Sequence, residues 1–178
     1  MSTKQNSLRI DVPLVNVAKF KEVLLYILSK IGAKPNVGQT VIYKLLYFID
    51  FDFYELYEEQ ILGLKYIKNT YGPTPTDFDK LVKQMQKSNE LEVIKTKRFS
   101  HEQTKYMPVR TADLTELSAR EIKHIDYVLE KYSDKTATEL SVISHRDVPW
   151  ITTKNKAVIP YESVFYRTPE TSVRIYDK

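Results

Sequence analysis

The chain contains no cysteine and only four glycines among its 178 residues. Without cysteine it cannot form disulfides or thiolate metal sites. No apolar run approaches the ~18 residues that a membrane-spanning helix needs, and residues 1–11 lack the apolar segment of a signal peptide. These absences predict a soluble, cytoplasmic protein, and a chain of 178 residues is long enough for one well-buried domain.

Catalytic motifs are missing as well. The sequence has no G-x-S-x-G elbow, no H-E-x-x-H pair and no glycine loop that could cradle a phosphate. Ser144, His145 and Asp147 are the residue types of a hydrolytic triad, but triads are assembled from distant segments. We therefore predict no enzymatic activity, no cofactor and no metal. An enzyme remains an alternative only through spatial convergence of Asp50, His145 and tyrosine side chains, which a sequence does not reveal.

Charge and tyrosine content point towards macromolecular partners. The net charge of +4 arises from 27 basic and 23 acidic residues, a mixture that does not require a nucleic-acid partner. Within residues 95–110, however, five basic side chains accompany a single acid, Glu102; they are Lys95, Lys97, Arg98, Lys105 and Arg110. The 13 tyrosines favour protein interfaces, because tyrosine offers a large amphipathic contact area.

The N-terminal third predicts an edge strand and two helices. Residues 8–14 alternate as a strand does, with Pro13 confining it to an edge that could pair in a homodimer. Asn16 is placed to cap a first helix that Gly32 ends, and its apolar stripe is Phe20, Val23, Leu24, Ile27, Leu28 and Ile31. Asn36 and Gln39 have capping-box spacing for a second helix that runs to about Tyr57.

The second helix carries two different faces. Its predicted buried face consists of Ile42, Leu45, Leu46, Ile49, Phe53 and Leu56. At about 100° per residue, a separate stripe lies roughly a quarter turn away and consists of Tyr43, Tyr47, Asp50, Tyr54 and Tyr57. Either this stripe packs on a neighbouring helix, or its Tyr47, Asp50 and Tyr54 section lines a groove for a partner.

The middle of the chain resembles a winged helix in the order of its elements. Residues 72–75 predict a rigid Gly-Pro loop, and a third helix from about Thr76 buries Phe78, Leu81, Val82 and Met85. Residues 91–96 and 105–109 then predict two strands joined by a basic loop. This ribbon suggests DNA binding through the five basic residues above, which would weaken steeply with salt.

Residues 118–150 predict two further helices, each opened by a capping box. Ser118 with Glu121 and Thr136 with Glu139 have the required spacing. His145 is expected as a partly positive C-terminal cap, and Pro149 is expected to end the helical dihedrals at Val148. Trp150 is then either a buried anchor for the chain's exit or part of a partner pocket beside His145. A last helix is expected to start with Pro160 at its first position and to place Tyr161, Val164 and Phe165 on one side.

Several motifs together resemble the Panacea domain, a family that includes the SocA-like antitoxins and the phage-associated GepA proteins. They are Lys44-Leu45-Leu46-Tyr47-Phe48 with Asp50, then Gly63, Tyr66 and Tyr71-Gly72-Pro73-Thr74-Pro75, then Glu139-Leu140-Ser141 with His145 and Pro149-Trp150. The resemblance covers about residues 20–167. We expect a mainly α (α+β) fold, a compact bundle of about six helices with a small antiparallel β-ribbon. We expect residues 1–15 to form a partly disordered arm, residues 16–168 the SocA-like domain and residues 169–178 a polar tail.

The resemblance implies an antitoxin of a bacterial or phage toxin-antitoxin system, which binds a co-encoded toxin protein directly. DNA and a protease are secondary partners, because some relatives carry an N-terminal helix-turn-helix domain and one delivers its toxin to a protease. Residues 1–15 are too few for such a DNA-binding domain. The partner-binding residues that the family motif implies are Lys44, Tyr47, Asp50, Tyr54, Tyr66, Tyr71, Gly72, Pro73, His145 and Trp150.

Overall fold

The computed structural model describes residues 17–175, and these form six α-helices, one 3-10 helix and two two-stranded antiparallel sheets. The helices are α1 (Val17–Ile31), α2 (Gln39–Tyr57), α3 (Phe78–Lys87), α4 (Ala119–Tyr132), α5 (Ala137–His145), α6 (Val148–Thr152) and the 3-10 helix η1 (Tyr161–Tyr166). The strands are β1 (Tyr66–Asn69), β2 (Gly72–Pro75), β3 (Leu91–Arg98) and β4 (His101–Pro108). The predicted mainly α fold class is confirmed.

Some expectations lie outside this part of the chain. The edge strand at residues 8–14, the Asn16 cap and the end of the polar tail fall in residues 1–16 and 176–178, which the structure does not describe. Between residues 17 and 175, no helix combines the length and the apolar character that crossing a membrane requires.

Helix α2 lies at the centre of the fold, with most of its residues buried on every side. It contacts α4, α5, β2, β4 and η1. Five of the six residues of its predicted apolar face are buried, which confirms that part of the prediction. The prediction that Leu56 is buried is wrong, because this residue lies at the solvent-exposed end of the helix, where Glu58 adopts a left-handed conformation with φ 57°.

Helices α1 and α3 follow their apolar periodicity. All six residues of the predicted α1 stripe are buried, and so are the four predicted for α3. Phe78 joins the two helices to α2 and the ribbon, because its ring centre lies 6.0 Å from that of Phe20, 5.0 Å from Tyr43 and 5.4 Å from Tyr106. Such edge-to-face aromatic contacts stabilise beyond the area they bury.

The predicted cap of α2 is wrong. Gly38 occupies the N-cap position without a side-chain hydrogen bond, and Asn36 instead donates from Nδ2 to the carbonyls of Ser133 (2.8 Å) and Lys135 (2.9 Å). These carbonyls follow the C-terminus of α4, where a helix leaves backbone acceptors unpaired. Asn36 therefore bonds these distant carbonyls and does not cap the helix next to it in the sequence.

The predicted Gly-Pro loop is also wrong, because residues 72–75 form strand β2. This strand pairs with β1 so that Tyr66 faces Pro75 and Asn69 faces Gly72. Two prolines are tolerated because both strands of a two-stranded sheet are edges. The second ribbon is longer than predicted, since β3 and β4 pair as far as Arg98 and His101, and only Phe99 and Ser100 remain in the turn.

In the C-terminal half, both predicted capping boxes are confirmed and both predictions about proline are wrong. The Ser118 and Thr136 boxes are present at α4 and α5. Pro149 does not end the helical run, because it lies in the first turn of α6, where its missing N–H costs nothing. Pro160 caps η1 and is not its first residue, and Phe165 is 40% exposed while Tyr161 and Val164 are buried.

A buried ionic network fastens the C-terminal segment to α2. The guanidinium of Arg167 donates to Asp52 (2.8 Å), to Glu55 (2.8 Å) and to both carboxylate oxygens of Asp147 (2.8 and 2.6 Å). The Tyr47 hydroxyl donates to the same Asp147 carboxylate at 2.7 Å. All of these side chains are almost fully buried. Removing one member of such a network leaves the charge of its partner buried and uncompensated.

We predict that Asp147→Asn destabilises the protein by about 3 kcal/mol and that Asp52→Asn costs less than about 1 kcal/mol. The Asp147 carboxylate now accepts hydrogen bonds from Arg167 and Tyr47. The side-chain amide of Asn would instead turn an N–H group towards one of these donors. Asp52 makes one bond to Arg167 and leaves Oδ2 without a partner among residues 17–175, and burial raises its pKa to about 6. Chemical denaturation at pH 7 measures both, and equal losses would contradict this ranking.

Candidate functional site

The residues singled out from the sequence converge where α2, the β1–β2 hairpin, α5 and α6 meet. Some of them form a buried layer and others reach the surface above it. Tyr54 alone lies apart, with its ring centre 5.4 Å from that of Tyr161 and its hydroxyl 3.4 Å from Glu162 Oε1. The site is therefore built mainly around the middle of α2 and the hairpin.

Asp50 is the first buried hub of the site. Its carboxylate accepts from the Tyr66 hydroxyl and the Leu62 backbone N–H, both at 2.8 Å. The Tyr161 hydroxyl lies 3.3 Å from it and donates to the Leu64 carbonyl at 2.6 Å. Burial raises the pKa of Asp50 to about 6, and these donors act in the opposite direction. Asp50 therefore connects α2 to the hairpin and to η1.

Tyr47 is the second buried hub. Its ring centre lies 4.4 Å from that of Phe51 and 5.8 Å from that of Tyr66, and its hydroxyl is bound to Asp147. Burial raises its pKa well above the ordinary value. The expectation that Tyr47 and Asp50 line a groove is wrong, because both side chains are fully buried. A helical projection separates them from the apolar face but does not show that other elements cover both sides of α2.

Lys44 brings an uncompensated charge into this interior. It is 1% exposed, and within residues 17–175 its one hydrogen bond is a long one of 3.4 Å from Nζ to the Pro73 carbonyl. Desolvation lowers the pKa of Lys44 to about 8. Gly72 lets the hairpin close over it with φ +111°, since an added Cβ would lie 2.6 Å from Lys44 Cε and from Ser144 Oγ.

His145 and Trp150 form the half-buried rim of the site. Their rings stack with centres 4.2 Å apart, and Lys68 Nζ lies 4.0 Å from the centre of the indole. Burial, followed by repulsion from Lys44 and Lys68, lowers the pKa of His145. His145 does lie in the last turn of α5, as predicted, but these effects favour the neutral imidazole over the expected positive charge. Trp150 is an anchor that remains partly open to solvent.

The surface above this rim carries Tyr71, which is 75% exposed. Its backbone carbonyl accepts a hydrogen bond of 3.0 Å from the Ser141 hydroxyl, so the tip of the hairpin is held against α5. We call the surface formed by Lys68, Tyr71, His145 and Trp150 the hairpin face. It presents aromatic and cationic groups side by side on three different elements.

Sequence reasoning missed Arg167, Lys68 and the structural role of Asp147. Arg167 lies between polar residues near the end of the chain, and no local pattern indicates that it is buried. The available signal was the pair of acids Asp52 and Glu55 in a largely apolar helix, because buried carboxylates need a cation. That signal does not identify which arginine or lysine supplies the charge.

The basic ribbon is less available than its sequence indicates. Lys105 donates to the Lys34 carbonyl at 2.7 Å, and Arg110 is held by Glu22 (2.6 Å) and Glu90 (2.7 Å). Lys95 lies 3.6 Å from Glu102. Lys97 is exposed at the surface of the ribbon, and the Arg98 guanidinium lies over the Phe99 ring at 5.4 Å.

We predict that Lys44→Met stabilises the protein by about 2 kcal/mol at pH 7, because it removes a buried ammonium. The folded-state pKa of Lys44 is about 8 and the ordinary value is 10.5, so the penalty is complete below pH 8 and disappears as the pH rises to 10.5. The advantage of the variant in unfolding free energy should shrink across that range. Lys65→Met, which removes an exposed lysine, is the control; an equal gain there would contradict the explanation.

Trp150 is the single tryptophan, so its fluorescence reports on His145 directly. A protonated imidazole stacked on indole accepts electrons from the excited ring and quenches it. We predict quenching on acidification with a midpoint below the ordinary histidine pKa of 6.5. His145→Gln should abolish the transition. A midpoint above 6.5 would mean that burial and the repulsion from Lys44 and Lys68 do not hold the imidazole neutral.

A comparison with protein families identifies the region that contains this site. The family model described as "Antitoxin SocA-like, Panacea domain" matches residues 42–151. These residues span most of α2, the hairpin, α3, the ribbon, α4, α5 and most of α6. No curated protein and no solved structure matches the chain.

Proposed function

Because the chain belongs to the SocA-like Panacea antitoxin family, we propose that it neutralises a toxin protein by binding it directly. We further propose that the toxin is encoded by a neighbouring gene and is bound in the cytoplasm. Membership in an antitoxin family implies a non-enzymatic, regulatory role and a toxin as partner. The observation that carries the proposal is that the family match, residues 42–151, encloses the whole hairpin face.

The hairpin face is the surface that we assign to the toxin. Interface energy is concentrated in a few anchors that are often Trp, Tyr or Arg. Tyr71 and Trp150 are side chains of this kind on one surface, where Lys68 lies over the Trp150 ring. The buried residues below it have a supporting role. Asp50 bonds Tyr66 of β1, and Tyr47 bonds Asp147 at the start of α6, so α2 positions the two elements that flank the face.

The chemistry of the site suits binding better than catalysis. The Asp50 and Asp147 carboxylates accept hydrogen bonds that hold elements together. Within residues 17–175 no hydrogen bond or ion pair joins Asp50 to His145. The hydroxyls of Tyr66 and Tyr161 meet at Asp50, but His145 does not take part in that group.

The alternative of DNA binding through the ribbon has weaker support. Lys105 and Arg110 are occupied by intramolecular contacts, which leaves fewer of the five basic residues for phosphates. DNA, a protease and a second copy of the chain remain secondary partners, and no particular contact of the structure favours any of them.

We predict that co-expression with the neighbouring toxin rescues growth and yields a complex that co-purifies. Tyr71→Ala should weaken that complex about 10-fold or more and change the unfolding free energy by less than about 0.5 kcal/mol, because the side chain is exposed. Titration calorimetry of purified proteins measures the affinity.

Tyr127→Ala is the matched control, since Tyr127 is an exposed tyrosine on α4, away from the hairpin face. It should leave rescue and affinity unchanged. If both variants bind as the wild type does, the hairpin face is not the interface. If the wild-type chain neither binds nor rescues, direct neutralisation itself is wrong.

A further inference from the structure

Three nitrogen atoms at the junction of α2, α5 and α6 lack adequate hydrogen-bond partners. Within residues 17–175, His145 Nε2 and Trp150 Nε1 are buried without any partner, and Lys44 Nζ has only its long bond to the Pro73 carbonyl. A buried polar group without a partner has given up its hydrogen bonds to water for nothing in return, and the loss is larger when the group is charged. Native structures keep such groups rarely, so three in one place call for a ligand or bound water.

These nitrogens lie in a cationic environment. Repulsion from both Lys44 and Lys68 acts on His145, and no carboxylate of the described residues forms an ion pair with Lys44. The nearby acids are engaged elsewhere, since Asp50 is bound by Tyr66 and Leu62 and Asp147 by Arg167 and Tyr47. A neutral water molecule would satisfy hydrogen bonds but would leave the buried ammonium charge uncompensated.

The surroundings hold Lys44 in place. Gly72 and Ser144 enclose its side chain so closely that one added carbon at Gly72 would collide with Lys44 Cε and Ser144 Oγ, both at 2.6 Å. Ser144 is itself fixed by its bond of 2.9 Å to the Ser141 carbonyl. Lys44 is 1% exposed, so its ammonium does not reach water as the ammonium of a surface lysine does, and a counter-charge has to come to it.

We propose that Lys44, His145 and Trp150 form a receptor for one carboxylate group, which the bound toxin supplies from an acidic side chain or its C-terminus. A carboxylate has two oxygens that accept several hydrogen bonds. Lys44 offers an ammonium and Trp150 an indole N–H. His145 already bonds the backbone of Thr70, and its Nε2 becomes a donor once the arriving negative charge favours its protonation. The toxin as source rests on the proposed function.

Acetate tests the receptor without the toxin, and Trp150 fluorescence is the readout. Wild-type protein is titrated with sodium acetate at pH 7, with sodium chloride exchanged to keep the ionic strength constant. We expect a saturable change of emission for the wild type and for Lys65→Met, and a response at least 10-fold weaker in apparent affinity for Lys44→Met. Because Lys44→Met removes a buried charge, it should stay folded, and its thermal melting is recorded alongside.

Either of two results would overturn the receptor. If acetate and chloride act identically on the wild type, the three nitrogens hold only water. If Lys44→Met responds as the wild type does, the effect arises elsewhere on the chain.

A second titration identifies the source of the carboxylate. If the toxin supplies it, the preformed complex should no longer respond to acetate. At equal chloride, acetate should also weaken the complex of the wild type and that of Lys65→Met. The complex of Lys44→Met should not be weakened. A complex that keeps the full acetate response would overturn the toxin as source and assign the receptor to a free carboxylate. If no toxin binds, the proposed function fails, while the acetate titration still decides the receptor.

Discussion

The pairing of Arg167 with the carboxylates of α2 is the interaction on which the rest of the structure depends. A helix covered on all sides normally contains apolar residues, yet α2 places Asp52 and Glu55 in the interior. One guanidinium compensates both, and it also reaches Asp147 at the corner between α5 and α6. The same contacts fix the positions of α2, the start of α6 and the C-terminal segment relative to one another. A buried network of this kind is weak evidence for extra stability but fixes a specific arrangement.

Lys44 is the opposite case on the same helix. Its neighbours hold it in place without neutralising it, so the fold carries a destabilising group beside the surface assigned to the partner. Proteins commonly give up stability at the positions where they bind. Arg167 is fully paired, and its charge helps to hold the fold together. Lys44 is nearly unpaired, so its charge remains available to a partner.

Much of the fold could be predicted because its signals are local. The apolar stripe of α1, the inward residues of α3 and the two capping boxes each depend on spacing within one helix, and the structure has them where the sequence placed them. The errors arose where a distant partner outweighed a local preference. Asn36 bonds the end of α4 instead of capping α2, and residues 72–75 pair with β1 despite two prolines.

The site was harder to predict than the fold. The motif located the correct region, but the helical projection of α2 suggested an accessible tyrosine stripe, and the structure buries Tyr47. Burial depends on how many elements surround a helix, which no single segment encodes. For the same reason Arg167, more than 100 residues from its α2 partners, could not be recognised from its neighbours in the chain.

That distance along the chain also has a consequence during protein synthesis. Ribosomes deliver α2 more than 100 residues before Arg167, so a nascent chain lacks the cation that its central helix needs until Arg167 has emerged. Until then the carboxylates of α2 favour a hydrated, open arrangement over burial. The native packing around Asp52 and Glu55 is thus completed only after Arg167 has been synthesised.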